Sequence, residues 1–457
     1  MNSGKTWVSA AEAARLLGVT RATLYAYASR GYVRSQATPG SSRQRSYSRE
    51  DVERWRQKAE DRRAPDKAAA RALHWGLPTL ESAITLIDAR RLYYRGEDAV
   101  LLARTRSVEE VAALIWTGSS GQPLPEASFG GLTFGKPPRR FIARAQSMLA
   151  TAAGRDAMAL DLRPAAVAAT GSRILWLLTM AATRSDRVTG SIDSALARAW
   201  EVDRRGVDLL RAALILCADH ELNVSSFTAR CVASAGSHPY AVVIAGLAAL
   251  EGPRHGGASA RVEAMLSSMR RARPLAAAVA ERLRRGEPLD GFGHPLYSDG
   301  DPRASALLTL LRDRYAQTPE YRYAAEFAKV AAAACGEQPN LDFGLAAMAR
   351  VLRLPAGSPL VLFGIGRTIG WIGHAIEQYA DGQLIRPRAR YVGVVPMSRD
   401  SSTRRQHEHP SREPASPESR SRDDASRPRD ERVRSLRGTL RKRRDPSFSA
   451  EPGLAPS

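Results

Sequence analysis

The run Gly291–Arg303 reads GFGHPLYSDGDPR and sets His294 between a glycine and a proline. Arg303 follows nine residues later, behind an Asp-Gly-Asp-Pro turn. An imidazole can hydrogen-bond or protonate an oxygen near neutral pH, and a guanidinium can grip a carboxylate with two bonds. Gly291 and Gly293 let a ligand approach the backbone, while Pro295 and Pro302 stiffen the exits. Alone, the run reads more readily as a surface loop with a stray histidine and arginine. Two further segments tip the reading towards a site: ADHELN around His220 and GPRHGGA around His255. Four of the chain's eight histidines fall between His220 and His294, mostly beside glycine or an acid.

Ala218–Asn223, Gly252–Gly257, Gly291–Arg303 and Asn340–Phe343 stand in the order of the motifs of the citrate synthase family, and the chain resembles that family from about Leu80 to Gly393. The resemblance implies an all-α fold with a large and a small helical domain. It implies condensation of an acyl-coenzyme A, acetyl-coenzyme A first, with oxaloacetate to give citrate and coenzyme A. Such a reaction needs a base for a weakly acidic methyl group, a donor to the enol oxygen and a donor to the keto oxygen. Asp342 resembles the family's base, His255 the donor to the thioester oxygen and His294 the donor to the keto oxygen. His220, Arg303, Arg367 and Arg386 resemble the groups that hold the carboxylates of oxaloacetate, with Arg386 reaching into the partner subunit of a homodimer. No cofactor is implied beyond the coenzyme A thioester consumed as substrate. Arg254 and Ser259 depart from the family, which usually has an apolar residue and an asparagine there. Pro295 and Ser298 replace residues that are frequently basic, and these departures bear on coenzyme A affinity more than on the acid–base set. Read without the resemblance, Asp342 is a helix N-cap. His374, His238 and His74 read as structural histidines.

The elements that must position these groups are helical. From Arg139 to Leu250 the chain is dense in alanine and leucine at helical spacing, without an alternating strand pattern. Tyr240–Leu250 is apolar all round and reads as a central helix, and Ala166–Thr183, interrupted by Arg173, as a buried one. Polar-faced helices over about 258–338 correspond to the family's small domain. Leu80–Gly118 reads as amphipathic helix, with Ser107 and Glu110 as a capping box.

Ahead of this region, residues 1–58 form a separate module. Ser9 with Glu12, then Thr20, cap two short helices around a Gly18-Val19 turn, and Ser48 with Asp51 caps a third. This resembles the winged helix-turn-helix of the MerR and excisionase type, in which the second helix enters the major groove. Arg21 and Tyr25 on that helix, with Arg43 and Arg45 on a wing, are the candidate DNA contacts; a small protein-interaction domain with solvated arginines is the alternative. Residues 59–77 read as a charged, alanine-rich linker. Beyond Gly393, over 394–457, Arg, Ser, Asp, Glu and Pro dominate and almost nothing apolar remains, so the basic tail is expected to be disordered. It is either a genuine tail or the product of a shifted reading frame.

Bulk properties bound the rest. A chain of 457 residues can bury more than one core, and a net charge of +21 favours anionic partners, whether nucleic acid or a coenzyme A thioester. Cys217, Cys231 and Cys335 show no metal-ligand spacing, so no metal site is expected and free thiols in a reducing compartment follow. No apolar signal core opens the chain, and no stretch spans a bilayer comfortably, so a cytoplasmic protein without membrane contact is expected. Two functions of different class result: a synthase making citrate, or 2-methylcitrate from a propionyl thioester, and a DNA-binding regulator whose synthase-like domain senses a metabolite.

Overall fold

In the computed structural model, which describes residues 7–38, 44–63, 80–88, 90–121, 138–186, 188–272, 274–389 and 391–394, the N-terminal module is built around its caps. Ser9 Oγ accepts from Glu12 N at 3.2 Å and opens α1 (Ala10–Leu17). The Glu12 carboxylate does not reach back to complete the box; it pairs instead with Arg49 at 2.7 Å. Thr20 caps α2 (Arg21–Ser29), and Ser48 Oγ accepts from Asp51 N near the start of α3 (Arg49–Arg63). Three strands, β1 (Trp7–Ser9), β2 (Ser35–Ala37) and β3 (Arg45–Ser48), pair antiparallel in the order β1-β3-β2. Val8, Ala13, Ala14, Leu24, Val33, Tyr47 and Val52 close a small core of their own. The helix α3 runs on to Arg63, so the first residues of the expected linker are helical, while 64–79 lie outside the described residues.

The first part of the stretch expected as amphipathic helix, over 85–98, is instead a second three-stranded sheet: β4 (Thr85–Asp88), β5 (Arg91–Tyr94) and β6 (Glu97–Asp98). The reason is local. Arg95 and Gly96 both take positive φ, which turns the chain back between β5 and β6, a geometry that favours strand pairing over helix. Alternate residues Leu92 and Tyr94 are buried, the period of a strand.

The remaining described elements of this region are helical: α4 (Ala99–Thr105), α5 (Val108–Thr117), α6 (Phe141–Ala153), α7 (Pro164–Thr183), α8 (Ile192–Ala199), α9 (Arg204–Leu216), α10 (Val224–Ser234), α11 (Pro239–Leu250), α12 (Gly257–Ser268), α13 (Leu275–Arg284), α14 (Pro302–Tyr315), α15 (Pro319–Cys335), α16 (Leu341–Val351) and α17 (Ser358–Asp381). The expected Ser107–Glu110 capping box is complete. One continuous core joins them, from Ile84 to Ile376, and α12 to α15 contribute Val262, Val279, Leu307 and Phe327 to it. By length and composition α7 and α17 are apolar enough to cross a membrane, but both are mostly buried among other helices.

The helix α17 is the axis on which the site depends. A Cβ at Gly366 would lie 2.4 Å from the Leu214 carbonyl oxygen, and one at Gly370 2.4 Å from that of Ala218. Only glycine allows so close an approach of α17 to the end of α9 and the segment carrying His220. Chain packing divides the protein into two compact units, Met1–Pro387 and Arg388–Ser457. In the second, Tyr391 Oη donates to Val394 O at 2.8 Å; the expectation of a disordered tail concerns residues that, beyond 394, lie outside the described set.

Candidate active site

Two remote segments meet at the site. Asn340 N donates to Gly291 O and Gly293 N to Gln338 O, each at 2.8 Å, and Phe292 forms a short antiparallel bridge with Pro339. Asn340 Nδ2 adds a bond to Gly293 O at 3.0 Å. Gly291 takes φ +88°, and a Cβ there would press on Val262 and Phe343, so the tight join needs glycine. This join sets the His294 loop against the start of α16, which carries Asp342. The N-cap of α16 is Asn340, whose Oδ1 accepts from Asp342 N and Phe343 N, so Asp342 is not the capping residue.

Asp301 ties the same two segments together from beneath. Its Oδ1 accepts from Arg303 N at 3.0 Å and Arg303 Nε at 2.9 Å, and its Oδ2 from Arg303 Nη2 at 2.8 Å and Leu341 N at 3.0 Å. Both side chains are buried. Burial works against the charge of each, but their mutual attraction prevails: Asp301 sits below the usual carboxylate range and Arg303 above its ordinary value. Arg303, expected as an open grip for a carboxylate, therefore already spends two of its three nitrogens on Asp301. Its Nη1 has no acceptor among the described residues.

The histidines converge. The rings of His220 and His294 lie edge to face with centroids 5.0 Å apart, and the His294 and Tyr297 centroids are 4.9 Å apart. His220 Nε2 shares a 2.9 Å hydrogen bond with Tyr297 Oη. Leu296 N donates to His294 Nδ1 at 3.2 Å, which leaves the hydrogen of the neutral ring on Nε2. Burial, with Arg303 adding, lowers His294 to about 4, and burial with Arg303, Arg367 and His294 holds His220 well below its ordinary value. Burial, then Arg367, lowers His255 to about 4 as well. All three are neutral imidazoles at neutral pH.

His255 Nε2 lies 2.8 Å from Ser225 Oγ, which is also 2.8 Å from Asn223 Oδ1. The hydroxyl has one proton, and its choice between these acceptors decides which nitrogen of His255 carries hydrogen. The His255 ring meets Phe363 edge to face, and the guanidinium of Arg367 stacks 4.7 Å above the same phenyl ring. Arg367 Nε donates to Cys217 O at 2.8 Å, whereas its buried Nη2 has no hydrogen-bond partner. Asp342 is mostly buried, and burial raises its carboxyl; Ser259 Oγ donates to its Oδ1 at 2.5 Å and pulls the other way.

Not every expected residue joins. Arg386 is exposed, and no contact links it to the other site residues among those described. His374 is a core histidine, as expected, but its Nε2 lies 3.2 Å from the buried Asp219 carboxylate, which also accepts from Thr85 Oγ1 at 2.6 Å. His238 caps α11 through Nδ1; His74 lies outside the described residues. Sequence reasoning missed Asp301, Tyr297 and Ser225. Asp301 had a readable signal, since Asp before Pro is a helix N-cap pattern that also set it beside Arg303.

In the N-terminal module Arg21 and Tyr25 are exposed on one face of α2, and Arg45 is exposed on β3, where its Nη2 lies 3.4 Å from Ser35 O. Arg43 lies outside the described residues.

A family model described as the citrate synthase C-terminal domain matches residues 135–388, and one described as a helix-turn-helix domain matches 7–60. The chain is 38% identical over 208 residues to the putative citrate synthase 2 of Mycobacterium tuberculosis, an alignment covering 44% of this chain and 55% of that protein. It thus spans about half the length of that curated relative. To the citrate synthase of Haloferax volcanii it is 30% identical over 376 residues, covering 70% of this chain and 94% of the relative. The fold is similar to that of a Thermoplasma acidophilum citrate synthase solved with carboxymethyl coenzyme A and oxaloacetate, with TM-score 0.61 and 23% identity over 72% of this chain and 97% of that one.

Proposed function

Because this chain belongs to the citrate synthase family, we propose that it condenses acetyl-coenzyme A with oxaloacetate and hydrolyses the resulting thioester to citrate and coenzyme A. The observation that carries this reading is the pair of arginines. Arg367 Nη2 is buried without a partner and Arg303 Nη1 has no acceptor among the described residues. A buried N–H group without an acceptor is rare, and Arg367 Nη2, with the uncommitted Nη1 of Arg303, suits the carboxylates of a small dianion such as oxaloacetate beside His220 and His294. Asp342, its carboxyl raised by burial, removes a methyl proton from the acyl group, and His255 donates to the thioester oxygen as the enol forms. Neutral His294, with hydrogen on Nε2, donates to the keto oxygen as the new carbon–carbon bond closes. A water then cleaves the thioester. The thioester is the only cofactor-like group in this scheme, and it is consumed as substrate. Arg386, exposed in this chain, serves the site of the second copy in a homodimer, and the cytoplasm is the compartment this chemistry suits.

A second reading is favoured by the N-terminal module. Its match to a helix-turn-helix domain and the exposed Arg21, Tyr25 and Arg45 suit contact with duplex DNA, which would make the condensing region a metabolite sensor. The test is thiol release from acetyl- and propionyl-coenzyme A with oxaloacetate, run beside deuterium exchange into the acyl group. Asp342→Asn should lower both by about 10²–10⁴ while leaving oxaloacetate binding intact. Greater thiol release from the propionyl thioester assigns 2-methylcitrate instead. A parent protein inactive with every short acyl thioester overturns the enzyme reading in favour of the sensor.

A further inference from the structure

We propose that Ser259 is a positioning residue that keeps Asp342 ionised inside the fold and leaves Oδ2 as the oxygen that accepts the substrate proton. The inference rests on the reading of Asp342 as the base. Ser259 stands in the first turn of α12, two residues after the helix opens at Gly257, and is buried at 1% exposure. Its hydroxyl donates to Asp342 Oδ1 at 2.5 Å across the α12–α16 contact. A serine hydroxyl has one proton, so this bond uses its whole donor capacity and engages one carboxylate oxygen only. Oδ1 is thereby occupied, and Oδ2 keeps its lone pairs for chemistry.

The consequence for the base follows from the competing surroundings. Burial favours the protonated carboxyl, which would be useless as a base, and Asp301 adds to that pressure. Ser259, Arg303 of α14 and Arg261 of α12 favour the carboxylate. Arg303 is tied to Asp301 by two bonds, and Arg261 to Asp290 at 2.7 Å, so their help is partly spent elsewhere. The imidazoles of His255 and His294 are neutral and supply no charge. The hydroxyl is therefore the donor aimed at Asp342 itself. It also weakens the base somewhat, because a carboxylate that accepts a strong bond takes a proton less eagerly. The arrangement trades proton affinity for ionisation near neutral pH.

The experiment compares Ser259→Ala, Ser259→Thr and the parent full-length protein. Removing the hydroxyl takes away a bond to the charged form, so the acid limb of kcat/KM for the acyl thioester should move to higher pH by about one unit or more. KM for oxaloacetate should stay near the parent value, since among the described residues no hydrogen bond links Ser259 to Arg303, Arg367, His220 or His294. Ser259→Thr keeps the hydroxyl and should bring the limb back. The carboxyl ¹³C resonance of Asp342, assigned by its loss in Asp342→Asn, reads the same titration without turnover. An Asp342 carboxyl that titrates at the same pH in the parent and in Ser259→Ala overturns the proposal, whatever the activity. A parent that fails to turn over leaves this titration as the deciding measurement, so the two failures are told apart.

Discussion

Asp301 accepts four hydrogen bonds from two segments of chain, and its replacement by alanine is the sharpest test of how the site is held. Asp301→Ala leaves the Arg303 guanidinium buried at 4% exposure without its counter-charge and removes the acceptor for Leu341 N at the head of α16. Breaking a buried ion pair by deleting one partner costs about 3–5 kcal/mol, because the remaining charge is stranded. For a unit of this size that corresponds to a fall in Tm of roughly 4–6 °C. Asp301→Asn, which keeps one acceptor oxygen, should lose less. Asp299→Asn is the control: it breaks an exposed pair with Arg90 and should stay within about 1 kcal/mol of the parent. Acid supplies a second arm. The folded carboxyl of Asp301 lies below its unfolded value, so its contribution is complete above the unfolded pKa of about 4 and is lost as pH falls through the lower folded pKa. The gap between parent and Asp301→Ala in urea denaturation should therefore narrow in acid. A loss below about 1 kcal/mol at neutral pH, or a gap that does not narrow, refutes the argument.

Gly370→Ala would place a methyl 2.4 Å from Ala218 O and 2.5 Å from Asp219 Oδ1, costing about 1–3 kcal/mol and shifting His220, so KM for oxaloacetate should rise more than kcat falls; an unchanged KM would count against α17 as the positioning axis. The full chain should bind duplex DNA with affinity that falls steeply with salt, and Arg21→Ala with Arg45→Ala should flatten the log–log salt slope by about 2. Unchanged affinity and slope in that double variant would remove α2 and β3 from the DNA contact.

The parts of the molecule that were legible in sequence share one property: their signal lies within a few residues. Helical periodicity marked α6 to α11, and Ser107, Thr20 and Ser48 announced helix starts because capping acts over three positions. The His220, His255, His294 and Asp342 motifs were readable for the same reason. The sheet β4–β6 was missed because its strands are two to four residues long, too short for an alternating pattern to outweigh apolar pairs that also suit a helix. Pairings across long stretches of chain left no trace in spacing. Nothing near Ser259 points to a carboxylate 83 residues on, and nothing near Arg367 reveals that one of its nitrogens finds Cys217 O while another finds no acceptor. Arg303 was read for its charge, and the acid two residues before it, which takes most of that charge's bonding, was read only as part of a turn.

The glycines of α17 and the Ser259–Asp342 pair answer to different pressures. Gly366 and Gly370 answer to helix approach alone, so replacing either costs stability whether or not the chain turns over substrate. Asp342 is the reverse: a carboxyl raised by burial is a liability to the folded state, and on the proposed reading it is kept only for proton abstraction. A lineage that had become a pure sensor would drift at 259 and 342 first, towards neutral or apolar side chains, while 366 and 370 stood still. Drift at those two pairs of positions among near relatives is thus a clock for the loss of catalysis that runs independently of the loss of fold.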